Sequence, residues 1–168
     1  MVKKMNTLNL FLIFSIIGNM FERILMYFRH TDYVSGFMGT IFTPIYGIAI
    51  IIIIFIHKRI NINNKLIKIL IEFIIFSIVL SMIELVGGKL IELVFNKIYW
   101  NYDKYKYNIG KYISLETGIL WGVMSILSLY IIYPIYKKIE KYIPSIITII
   151  LSIAFILNFI IVIIVKLT

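Results

Sequence analysis

LIKILIEFIIFSIVLSMIELVGGKLIELVF, residues 66–95, stays compatible with a helix from end to end. As one helix it would extend about 45 Å at 1.5 Å per residue. The apolar core of a bilayer is only about 30 Å thick. The excess falls where the stretch stops being purely apolar, at Glu84, Gly87, Gly88, Lys89 and Glu92. Two readings fit. In one, the helix crosses over residues 66–86 and bends at the paired glycines, which weaken a helix. Residues 89–97 then lie in the interface, with Lys89, Glu92 and Asn96 on one side and Leu90, Ile91, Val94 and Ile98 on the other. In the other, the helix is continuous. Glu84 and Glu92, eight residues apart, then share a face about 12 Å apart, as two acids lining a cation or proton path would.

Four more segments flank this one with the length and polarity of membrane-spanning helices: about 6–28, 38–57, 113–133 and 143–165. The expected fold is therefore all-α, a polytopic bundle of five spanning helices, with an interfacial helix after Gly87–Gly88 on the first of these readings, forming a single transmembrane domain over 1–168. Composition agrees, with 61% hydrophobic and 15% charged residues against a usual quarter charged in soluble domains. Transmembrane strands would alternate apolar with polar residues, and these runs do not. Lys3 and Lys4 precede the first run as in a signal peptide, but no small-x-small cleavage site follows, so that segment is expected to be retained.

The net charge of +9 comes largely from lysines in short connections. Such residues orient helices and attract anionic headgroups, and they offer no continuous basic face for nucleic acid. With the N-terminus inside, Lys3, Lys4, His57, Lys58, Arg59, Lys65, Lys68, Lys137, Lys138 and Lys141 are cytoplasmic, against Arg29, Lys97, Lys104, Lys106, Lys111 and Lys166 outside. The expected location is the cell membrane. The absence of cysteine removes thiolate metal sites and cysteine nucleophiles. No phosphate-binding G-x-x-x-x-G-K-[ST] loop and no H-E-x-x-H occur, and His30 and His57 stand alone. No metal and no cofactor is expected.

Acids inside apolar runs are costly, about 2.5–3.5 kcal/mol each on insertion scales, so they mark candidate sites. Glu22 and Arg29 share a face of the first helix, one turn beyond Gly18. Glu116 opens the fourth helix, where an acid also suits the helix dipole. Glu72, four residues after Lys68, reads as an ordinary i,i+4 pair near the inner surface. Ser114, Gly118 and Gly122 form a small-residue stripe that permits close helix approach, with Glu116 on nearly the opposite side. Gly36, Gly39, Pro44 and Gly47 loosen the start of the second helix. The connection 96–112 is crowded with Tyr99, Trp100, Tyr102, Tyr105, Tyr107 and Tyr112, an interfacial anchor or a lid over substrate.

GNMFERILMYF (18–28), GFMGTIFTPIYG (36–47), IELVGGKLIELVF (83–95), YWNYDKYKYNIGKYISLETGILWG (99–122) and YIIYP (130–134) occur in this order. Over residues 18–134 the chain resembles the CmpB-like ABC-transporter permeases, small Gram-positive membrane proteins. The resemblance implies functional positions at Glu22, at Pro44, Tyr46 and Gly47, at Glu84 and Glu92, at Trp100 and Tyr102, and at Asn108 and Glu116. It departs at Asn19, where tryptophan is usual, at Gly39–Ile41, which replaces an Asn-Gly-Pro-like turn, at Asn101, which takes an aspartate's place just before Asp103, and at Tyr133, where histidine is common. Proton-transfer roles for that aspartate or histidine are not carried over.

The expected function is a permease-like subunit of a transport system. Its candidate substrate-binding residues are Glu22, Arg29, Tyr46, Glu84, Glu92, Trp100, Tyr102, Asn108 and Glu116, acids suited to a cationic or amine-bearing substrate. The resemblance implies a separate ATPase. Five helices are few for a complete pathway, so a second membrane subunit or a homo-oligomer is also expected, besides the lipid bilayer. The alternatives are a membrane-embedded enzyme acting on a lipid or isoprenoid-linked substrate, its paired acids serving as general acid and base, and an accessory scaffold.

Overall fold

The computed structural model describes residues 2–29 and 39–167, with side chains described over 7–25, 27–28 and 39–165. Its elements are α1 (Val2–Arg29), α2 (Pro44–His57), α3 (Lys65–Phe95), β1 (Asn108–Ile109), β2 (Ile113–Ser114), α4 (Leu115–Leu127), a π-helical turn (Ser128–Ile132), α5 (Tyr133–Ile139), a 3-10 turn (Glu140–Tyr142) and α6 (Ser145–Leu167). Four described segments are long and apolar enough to cross a bilayer: Thr7–Leu25, Lys65–Phe95, Leu115–Tyr142 and Ser145–Val165. The expected second span is shorter than the sequence suggested. Residues 41–43 are not helical, and α2 begins only at Pro44, leaving 14 residues, about 21 Å. Proline's fixed φ and missing N–H suit a helix start. Just before it, the Thr43 amide donates to the Ser15 carbonyl at 3.0 Å and is not available to a longer helix.

The chain divides into two compact units, one made of Met1–Ile51 with Lys137–Thr168 and the other of Ile52–Tyr136. In the first, α1 packs on α6 around Phe155, which meets Phe11 and Phe42 edge-on at 5.4 and 5.3 Å. Gly18 and Gly47 make the approach of α1 to α2 possible. A Cβ on Gly18 would strike the Tyr46 ring, and one on Gly47 would strike Phe11 and Ser15.

The second unit is built on α3, which is a single helix from Lys65 to Phe95. Asn64 caps its start, accepting from the Leu66 and Ile67 amides at 3.0 and 3.1 Å. Asn96 ends it in the left-handed region at φ 49°. The continuous reading therefore holds, and residues 89–95 form no separate interfacial helix. Gly87 and Gly88 do not break the helix. Gly88 is where the Tyr112 ring rests, since a Cβ there would lie 2.5 Å from Tyr112 Cδ1, whereas Gly87 faces open space. Two rows at four-residue intervals run along α3. Leu66, Leu70, Ile74, Ile78, Met82, Val86 and Leu90 are exposed, and Glu72, Phe76, Leu80, Glu84 and Gly88 are buried. The outer row suits lipid.

The small-residue stripe of α4 meets the inner face of α3. Gly118 approaches Ser81, and Gly122 approaches Ser77 and Phe73, as close helix packing in membranes favours. Ser77 and Ser125 satisfy their hydroxyls on the Phe73 and Trp121 carbonyls of their own helices, at 2.8 and 2.7 Å. The fourth segment runs on past residue 133. Pro134 offers no N–H to the helix, and just before it the Tyr133 amide reaches the Ser128 carbonyl across a wide π turn. Between α3 and α4, β1 and β2 pair antiparallel through a turn in which Gly110 supplies a φ of +65°.

Candidate functional site

Three glutamates follow one another along the packed side of α3, and each takes a side-chain donor on both oxygens. Glu84, only 4% exposed, accepts from the Tyr102 hydroxyl on Oε1 at 2.6 Å and from Trp121 Nε1 on Oε2 at 2.7 Å. Tyr102 is placed by its own amide, which donates to the Lys111 carbonyl at 2.8 Å. Indole can only donate, so Oε2 must accept. A phenol can donate or accept, so Oε1 can carry a proton without losing either contact. The site is thus able to hold either a carboxylate or a neutral acid.

Glu92, two turns on, is half-buried. Lys111 Nζ reaches its Oε1 at 3.0 Å and the Tyr112 hydroxyl its Oε2 at 2.8 Å. Burial and then the hydrogen bond to Glu92 push the Tyr112 phenol up to about 12, so it stays a neutral donor. Trp100 meets the Tyr112 ring edge-on at 5.8 Å. Among the described residues, Tyr99 Oη, Trp100 Nε1 and Glu116 Oε2 are buried atoms with no protein hydrogen-bond partner. Burial also raises the Tyr99 phenol above its ordinary value.

Glu72 lies about 18 Å below Glu84, twelve residues earlier on α3. It is not the ordinary surface pair that the sequence suggested, being fully buried. Lys68 is 3.9 Å from its Oε1. The shorter contacts come from His57 Nδ1 on Oε1 and the Tyr130 hydroxyl on Oε2, both at 2.7 Å.

The first unit holds its own polar cluster. Asn19 Nδ2 donates to the Thr40 carbonyl at 3.2 Å and to Thr43 Oγ1 at 3.3 Å, while Arg23 Nε donates to Asn19 Oδ1 at 2.9 Å. Glu22 Oε2 accepts from Thr43 Oγ1 at 3.5 Å. Tyr46 lies over Gly18. The Arg29 side chain, His30 and Gly36 lie outside the described residues.

With this geometry in view, the chain matches the family model described as "Putative ABC-transporter type IV" over residues 9–167. The chain belongs to this family. The match takes in α6, which the motif resemblance over residues 18–134 did not reach. No curated protein and no solved structure matches the chain. Membership in this ABC-transporter family and the long apolar helices fit a membrane transport subunit.

Of the expected site residues in this family member, the second unit brings Tyr102 onto Glu84 and places Glu92 on the same helix. Trp100 meets the ring of Tyr112, whose hydroxyl donates to Glu92. Asn108 is turned to its own hairpin, with Nδ2 3.4 Å from the Gly110 carbonyl. Asp103, which follows the position where Asn101 takes an aspartate's place, is also spent locally. Asn101 Oδ1 accepts the Asp103 amide at 2.8 Å, and Asn101 Nδ2 donates to Asp103 Oδ2 at 2.9 Å, both exposed. Sequence reasoning missed Trp121, Lys111 and Tyr112 as partners of the two acids, and His57 and Tyr130 as partners of Glu72. Trp121 carried a faint signal as an indole in an apolar run, which needs an acceptor when buried.

Proposed function

We propose that the chain is a permease-like subunit of a transport system in the cell membrane, with its N-terminus inside, and that Glu84 is its central substrate-binding group. The observation that carries this reading is a buried carboxylate within a spanning helix, held by two aromatic donors. Intramembrane acids mark substrate or ion pathways as a rule. Aromatic rings beside such an acid suit an amine-bearing or cationic solute, since a cation is attracted both to the carboxylate and to a ring face. Glu92, Trp100 and Glu116 serve the same solute from the second unit. The cluster around Glu22 and Tyr46 is a separate candidate contact of the first unit. Family membership supports an ATPase or another subunit as the partner, and the lysine distribution supports the orientation.

The test is reconstitution of the tagged chain, with whatever copurifies, into vesicles supplied with radiolabelled amines. Uptake is expected to need a copurifying ATPase or membrane subunit. Glu84→Gln is expected to lower it about ten- to a hundredfold, the worth of a charge-assisted contact of about 1.5–3 kcal/mol. Unimpaired uptake by Glu84→Gln, or turnover of a lipid-linked substrate by the isolated chain, would overturn the proposal.

A further inference from the structure

Glu72, His57 and Tyr130 lie outside the site just proposed, and no step of transport has been assigned to them. We propose that they form a proton-binding site in which the imidazole of His57 takes up and releases the proton and Glu72 holds the ring in either state. Glu72 is fully buried, while the His57 side chain is 30% exposed at the last residue of α2. The contact between them is 2.7 Å, between Nδ1 and Oε1. With Glu72 taken as the carboxylate, which only accepts, the contact places a hydrogen on Nδ1. That leaves Nε2 as the nitrogen that exchanges a proton with water or a buffer acid. The neutral ring donates Nδ1–H to Glu72, and the imidazolium does the same. Protonation therefore adds one positive charge without breaking the contact that joins α2 to α3.

The surrounding groups let both states exist. From α3, Lys68 Nζ stands 3.9 Å from Glu72 Oε1, a counter-charge that does not depend on His57. From the π turn, the Tyr130 hydroxyl donates to Oε2 at 2.7 Å, and its ring stands edge-on to the imidazole at 5.8 Å. Just past the end of α2, Arg59 lies over the Phe55 ring of that helix at 4.6 Å. Glu72 and Lys68 balance each other with a neutral ring, and a protonated ring adds one positive charge. Imidazole is the side chain whose charge ordinarily changes near neutral pH. Single π turns occur frequently at functional sites, and this one carries Tyr130.

The experiment requires no substrate, so its failure would leave the transport reading standing, and the reverse. His30 and His57 are the only histidines. The full chain carrying His30→Gln, labelled with 15N-histidine in nanodiscs, reports His57 alone. As the buffer is acidified, Nε2 is expected to gain a proton while Nδ1 remains protonated throughout. Glu72→Gln is expected to turn the neutral form into a mixture of tautomers. The result from the chain carrying His30→Gln alone stands even if the Glu72→Gln variant fails to fold. A ring that keeps one spectrum on acidification, or a neutral form bare at Nδ1, would overturn the proposal.

Discussion

Glu84 accepts twice, and its two donors are not equivalent. A glutamine at this position can accept through one atom only, and its amide nitrogen would then confront either an indole N–H or a phenol that can turn. The phenol can adapt and the indole cannot. Glu84→Gln should therefore destabilise the fold by about 1–3 kcal/mol, the cost of one stranded buried donor. Adding Trp121→Phe should recover part of that loss. Thermal unfolding of the two single variants and the double variant in one detergent measures the coupling, and strict additivity would contradict the contact. Tyr112 makes a second prediction at this scale. Its phenol rises from 10.0 to about 12 on folding. A raised folded value means that its contribution is complete below pH 10 and is lost as the pH climbs toward 12. Alkaline unfolding followed by tyrosinate absorbance should show this loss, and Tyr112→Phe should remove it.

At the scale of the element, the two glycines of α3 behave as opposites. Gly87→Ala meets open space and should stabilise the helix by up to about 1 kcal/mol. Gly88→Ala meets the Tyr112 ring and should cost about 1–3 kcal/mol, as overpacking does. Denaturation midpoints of the pair check both signs at once. Paired glycines in a greasy run read equally well as a bend or a close contact, because periodicity describes the helix that carries them and not the side chain that arrives from elsewhere. The helical character of residues 66–95 was legible, though not its continuity through the glycines, and so was the small-residue stripe at Gly118 and Gly122. The start of α2 was not. Apolar residues at 38–43 satisfy a helical pattern, but the Thr43 amide is taken by Ser15 from a distant helix. Glu72 was misread for a related reason. Lys68 at i−4 offers a sufficient local partner on paper, whereas the actual donors come from α2 and from residue 130.

For the whole molecule, membrane character and class were plain from composition and run length, and the acids at 84 and 92 were marked by the cost of placing charge in lipid. Their donors lay too far along the chain for any spacing rule, since Glu84 is met from 18 and 37 residues away. A transport subunit with so few spans should not act alone. Crosslinking in native membranes, followed by mass measurement, is expected to show adducts larger than the monomer with an ATPase, a second membrane protein or another copy. A strictly monomeric, partner-free species would count against that arrangement.

The connection between α3 and α4 lends Tyr102 to one acid, and Lys111 and Tyr112 to the other. Those three side chains ride on a single strip of backbone that the short hairpin stiffens. Whatever tugs on the strip at one carboxylate is felt at its neighbour two turns away, so occupancy of the deeper acid and the grip on the shallower one should rise and fall together.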